Sequence, residues 1–241
     1  MEGRAKNRGR RSVVSIRMIQ RLRAAGGIIA LSITADAQEP RRIPVENGAK
    51  LEFVHVVPNT VTYNGRQALR LVETRDAPAG NAIALLPDLD FKDGTIEVEV
   101  AGRPADGSVD TARGFVGIAF RSAAHGTAFD CFYIRPTNGR ADDQLRRNHS
   151  TQYVSEPDFP WQRLRSETPG VYESYVDLEA GAWTRLQIEV SGAHARLFVN
   201  GAAQPALVVN DLKRGVTSGQ IGLWIGVGTE AHFRNLQIIT R

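Results

Sequence analysis

The sequence predicts an all-β protein built as a two-sheet antiparallel sandwich. Three observations carry that expectation. Beyond about residue 50 hydrophobicity alternates with period two, and no long stretch repeats with the helical period of about 3.6 residues. About a dozen short candidate strands follow at regular spacing, which favours a sandwich over a βαβ fold. Turn residues punctuate them: Pro87-Asp88, Lys92-Asp93-Gly94, Ala105-Asp106-Gly107 and Thr217-Ser218-Gly219.

The chain opens on a leader. Residues 1–23 are Arg-rich, residues 24–34 (AAGGIIALSIT) are apolar, and Ala35-Asp36-Ala37 has the small-x-small form of a cleavage site. Residues 1–37 therefore read as a signal peptide, with Met18 as an alternative start, and residues 38–241 as a secreted or periplasmic mature domain. The leader holds eight basic residues (Arg4, Lys6, Arg8, Arg10, Arg11, Arg17, Arg21, Arg23) and two acidic ones (Glu2, Asp36). The whole chain has 30 basic and 26 acidic residues, so 22 and 24 remain, a net charge of −2. Nucleic acid is therefore not an expected partner. No apolar run reaches about 18 residues, so no membrane contact is expected after leader removal. With 42% hydrophobic and 23% charged residues the chain is not a disordered one. Its single cysteine, Cys131, excludes an internal disulfide.

Strands are expected at 51–57, 61–63, 67–73, 82–86, 94–100, 114–121, 128–135, 183–190, 194–200, 206–209, 220–227 and 232–239. The clearest is 183–190, with Leu186, Ile188 and Val190 on one face and Arg185, Gln187 and Glu189 on the other. Ser191-Gly192 turns it into the next strand, and Asn64-Gly65 marks another hairpin. In 128–135 both faces carry apolar bulk, so this strand is expected to be covered on both sides. Residues 136–182 show little alternation and read as a long functional insert, because Tyr153, Phe159, Trp161, Tyr172 and Tyr175 need burial.

The C-terminal third carries a resemblance. Gly181-Ala182-Trp183-Thr184, then LQIEVSG, HARLFVNG, SGQIGLWIG and HFRNLQI, with Phe91–Glu99 upstream, is similar to concanavalin A-like lectin/glucanase jelly rolls. Within them it most resembles the bacterial laminin-G-like domains grouped with 3-keto-disaccharide hydrolases. The resemblance covers about residues 50–240. It implies a jelly-roll sandwich with glycans as ligands. Laminarinase-type relatives carry E-x-D-x-x-E on one strand. Here only Glu97-Val98-Glu99 is similar, so that double-displacement mechanism is not carried over.

Glu97 and Glu99 share a sheet face, where paired carboxylates serve either glycoside cleavage or a solvated outer surface. Asp88, Asp90 and Asp93 are spaced either to cap turns or to hold a structural calcium; no other metal or cofactor is expected. The insert concentrates chemistry. His149 is the candidate general base, with Glu173, Tyr153 or Tyr172 as its acid partner. Tyr133, Arg135, Asn138, Asp143, Arg146, Arg147, Trp161, Arg163 and Tyr172 are candidate substrate-binding residues, since aromatic rings stack on sugars and Arg forks grip carboxylates and hydroxyls. The expected function is carbohydrate-directed: cleavage of a glycoside, either a 3-keto sugar or a uronate-containing saccharide. The alternatives are a non-catalytic glycan-binding module and an adhesive exported domain.

Overall fold

The computed structural model describes residues 39–48, 50–78 and 82–241. The expected signal peptide lies outside these residues. No helix among the described residues is long and apolar enough to cross a membrane.

Two antiparallel sheets account for the described chain. The strands are β1 (Arg41–Ile43), β2 (Glu52–Val54), β3 (Val56–Tyr63), β4 (Arg66–Glu73), β5 (Ala82–Phe91), β6 (Gly94–Pro104), β7 (Val116–Ser122), β8 (Phe129–Ile134), β9 (Thr151–Glu156), β10 (Glu173–Ser174), β11 (Thr184–Ser191), β12 (His194–Val199), β13 (Leu207–Val209), β14 (Gly219–Ile225) and β15 (Thr229–Thr240). One sheet runs β13-β12-β11-β6-β15-β4-β3, with β1 beside the far half of β15. The other runs β10-β9-β8-β7-β14-β5-β2.

Alternation sets which side chains meet in the core. In β11, Leu186, Ile188 and Val190 are buried while Arg185 is exposed. Their neighbours across the ladder, Val98, Ile96 and Gly94, fall on the same side. The second sheet contributes a ring stack: Phe120 to Phe132 at 6.1 Å and Phe132 to Tyr153 at 5.6 Å between centroids. At the Asn64-Gly65 hairpin both residues take positive φ, 47° and 74°, the twist a two-residue turn between strands requires.

The expected strand at 51–57 breaks at His55, whose φ is 53°. The chain leaves the second sheet after β2 and enters the first as β3. The Pro87-Asp88 turn is absent. β5 runs through it, and its pairing with β14 is irregular between Leu86 and Phe91, so the missing proline N–H costs no ladder bond. Asp88 and Asp90 are consequently strand residues. Asp93 accepts from Arg121 Nη2 at 3.0 Å and from the Gly192 N–H at 2.8 Å. No group of three His, Cys, Asp or Glu side chains among the described residues is arranged to hold a metal ion. Glu97 pairs with Arg185, and Glu99 lies 2.9 Å from Arg234 and 3.5 Å from Arg66, on the outer face of the first sheet.

The insert is more regular than its sequence suggests. It supplies β9 and β10, the edge strands of the second sheet, together with α1 (Gln144–Asn148) and α2 (Trp161–Glu167). All six residues of β8 are buried. Cys131 is fully buried, and burial pushes its thiol well up, as suits a small core residue.

Candidate functional site

A cavity of about 550 Å³ opens on the second sheet, on the face turned away from the core. Strand pairing brings Trp224, Gly117, Tyr133 and Gln152 into one row across β14, β7, β8 and β9. Gly117 is required there. A Cβ at this position would sit 2.2 Å from the Phe132 carbonyl oxygen and 2.5 Å from Tyr133 Cβ. Without it, Tyr133 packs against Trp224 at 4.8 Å and edge-on to Phe115 at 6.1 Å, giving the cavity an aromatic floor.

Arg135 organises the polar end. It is 5% exposed. Nη2 donates to the Tyr133 hydroxyl and to Gln152 Oε1, each at 2.9 Å, and Nη1 donates to the His149 carbonyl at 2.9 Å. Its guanidinium lies 5.0 Å from the Tyr133 ring centroid. Because Tyr133 Oη accepts from a cation, its own proton is left for a ligand. Burial raises the Tyr133 pKa to about 12, so the phenol stays protonated.

His149 reaches the cavity through a short local device. Asp143 caps α1 by accepting from the Arg146 N–H at 2.8 Å, and His149 closes the helix at its C-terminal end. Asn138 donates to the His149 carbonyl at 3.2 Å. The ring nitrogen Nδ1 lies 2.8 Å from Glu173 Oε2, without hydrogen-bond geometry. Burial lowers the His149 pKa; Glu173 opposes this, while Arg165 and Arg135 add to it. The imidazole is therefore neutral at neutral pH. The negative charge of Glu173 beside Nδ1 favours the tautomer protonated there, which leaves the lone pair on Nε2.

Glu173 is held by cations. Its side chain is 3% exposed, bound by the Arg165 fork and 3.6 Å from Arg135 Nη1. Arg165 in turn lies over the Trp161 ring at 4.6 Å, one turn away on the same helix, and both line the cavity. Glu156, at the end of β9, also lines the cavity. It shares a strand face with Gln152 and Val154, and burial alone pushes its carboxyl up.

Tyr133, Arg135, Asn138, Arg146, His149 and Trp161 thus line one cavity, with Glu173 behind them. Five other expected site residues lie elsewhere. Tyr153 points into the core, one residue out of phase with Gln152. Its hydroxyl donates to Asp130 at 2.6 Å and accepts from the Lys213 N–H at 2.8 Å, and burial pushes its pKa far up. Asp143 is a helix cap. Arg147 donates to the Tyr175 hydroxyl at 2.9 Å, and Arg163 pairs with Glu167 at 2.7 Å. Tyr172 donates to Asp211 at 2.7 Å. Sequence reasoning missed Glu156, Phe115, Arg113 and Trp224, and gave Gln152 and Arg165 of the insert no role of their own. The pairing of β8 with β9 places two of these, Gln152 and Glu156, and that ladder was not legible.

Comparison with known proteins gives three findings. Residues 37–239 match a family described as the 3-keto-alpha-glucoside-1,2-lyase-like domain. No curated protein matches the chain. Among solved structures, the carbohydrate-binding module CBM66 from Bacillus subtilis is similar at TM-score 0.55 and 13% identity, covering 79% of this chain and 96% of that one. A Bacillus subtilis protein of unknown function with a galectin-like fold reaches TM-score 0.55 at 13% identity, covering 83% and 96%. A candidate glycosyl hydrolase from Parabacteroides distasonis reaches 0.53 at 12% identity, covering 83% and 100%. At these identities the likeness is one of fold, and it bears out the jelly-roll sandwich.

Proposed function

The chain belongs to the 3-keto-alpha-glucoside-1,2-lyase-like domain family, and we propose that its cavity cleaves a 3-keto glycoside by elimination across C1 and C2. The observation that carries this reading is His149 at the edge of an aromatic cavity, its Nδ1 2.8 Å from the buried Glu173 carboxylate.

A ketone at C3 acidifies the hydrogen on C2. His149 Nε2 takes that proton, and the C2–H electron pair flows toward the ketone oxygen. Tyr133, its hydroxyl polarised by Arg135, donates to the oxygen as negative charge develops there. The electrons then return to form the C1=C2 double bond, and the C1–O bond breaks. Glu156 protonates the departing oxygen, since burial makes it hold its proton to higher pH than an ordinary carboxyl. Glu173 fixes the tautomer of His149 and stabilises the imidazolium formed in the first step. Trp161 stacks on the sugar at the rim.

Product analysis tests the reading. Incubation with a 3-keto glucoside should release the free alcohol and an unsaturated keto sugar lighter than the hydrolysed sugar by one water. His149→Ala should abolish release, and Glu156→Gln should slow it most for poor leaving groups. Binding without turnover would instead mark a glycan-binding module.

A further inference from the structure

We propose that the cavity takes a carboxylate-bearing glycoside, with the carboxylate held by Arg113 and Arg146. This deepens the reading of the cavity as a glycoside site and rests on it.

The four arginines that line the cavity differ in how they are partnered. Arg135 and Arg165 both face Glu173. Arg113 and Arg146 pair with no carboxylate, although eleven other arginines of the described chain do, Arg135 and Arg165 among them. Arg113 uses one terminal nitrogen, Nη1, on the carbonyls of Asp110 and Ala112 at 2.5 and 2.9 Å. That anchors the guanidinium and leaves its other edge open. Arg146 is oriented by the α1 cap, which engages only its main-chain N–H.

Two unneutralised guanidiniums on one half-enclosed cavity repel each other. The lowered pKa of Arg113 has burial as its first cause, and Arg146 and Arg135 as the next two. Asp110 attracts Arg113 but forms no ion pair with it. A bound anion relieves the repulsion, and a carboxylate matches the guanidinium fork better than a hydroxyl does. The carboxylate could belong to the sugar, as in a uronate, or to an acidic aglycone; the chemistry of recognition is the same.

Calorimetry on the full chain separates these sources with three unreactive, unoxidised probes: phenyl glucoside, phenyl glucuronide and 4-carboxyphenyl glucoside. One of the two charged probes should bind about tenfold tighter than the neutral one at low salt, a gap that closes at high salt. The tighter of the two identifies where the carboxylate sits. Arg113→Gln and Arg146→Gln should each remove most of the preference for the charged probe over the neutral one, with unchanged unfolding transitions reporting intact folds. Equal affinities for all three probes, no measurable binding of any, or a preference that survives both variants would overturn the proposal. Elimination of a neutral 3-keto glucoside without charge preference would sink this inference alone. Charge preference without elimination would sink only the reaction.

Discussion

Replacing Glu173 tests how the site is held together. Its carboxylate is 3% exposed and meets three groups: Arg135 at 6% exposure, His149 at 17% and Arg165 at 33%. Glu173→Ala leaves Arg135 buried opposite no anion, and breaking a buried pair in this way costs about 3–5 kcal/mol. Arg165 adds little to that figure, because a third of its side chain reaches solvent. Glu173→Gln keeps the shape and one acceptor, so a loss of about 2 kcal/mol is expected. Both variants also remove the one influence that raises the His149 pKa. The imidazole should then titrate at still lower pH than in the parent. Urea unfolding at pH 7 reads the first effect, and ring-proton NMR titration reads the second. An Ala variant that loses under about 1 kcal/mol, or a His149 titration that moves upward, would refute the argument that Glu173 anchors the charges.

Further outcomes follow from individual contacts. Gly117→Ala should cost about 1–3 kcal/mol and perturb tryptophan fluorescence, because its Cβ would meet the Phe132 carbonyl oxygen and Tyr133 Cβ. Tyr153→Phe strips partners from Asp130 and the Lys213 N–H, so stability should fall by about 1–3 kcal/mol with turnover nearly unchanged. The basic form of His149 is the active one and its pKa is lowered, so the acid limb of the kcat/KM profile should lie below pH 6.5. His232 is stacked on Tyr63 at 3.6 Å. Its pKa falls from 6.5 to about 4 through burial, with Arg70 and Arg103 adding to the effect and Glu230 opposing it. The folded state therefore refuses a proton that the unfolded chain accepts. Stability should be full above about pH 6.5 and decline toward pH 4, by about 3 kcal/mol. Urea unfolding across that range should show a shallower decline in His232→Phe.

Much of the sandwich was legible because its strands obey one rule. β11 and β12 alternate cleanly, and the Asn64-Gly65 turn can form only one kind of hairpin. β9 hid because the rule fails there. Thr151 and Gln152 are buried polar residues, made tolerable by side-chain hydrogen bonds to the carbonyls of Ser174, Tyr153 and Tyr172 rather than by apolar packing. That hidden strand decides which side chains reach the cavity. Its parity sends Gln152, Val154 and Glu156 outward and Tyr153 inward, so a one-residue shift separates a core tyrosine from a cavity carboxyl. Cys131, Tyr133 and Arg135 could be assigned one face because β8 alternates. The concentration of His149, Arg146 and Trp161 in one insert was visible in composition, but the meeting of His149 with Glu173 depends on β10 pairing with β9, a contact of only two residues.

The most direct test of the account follows the hydrogen on C2. A 3-keto glucoside deuterated at C2 should lose the label to water as the alcohol is released, with a primary isotope effect on release and neither process in His149→Ala. Release of the alcohol with the deuterium retained on the sugar would mean hydrolysis at C1, and would contradict elimination driven by His149.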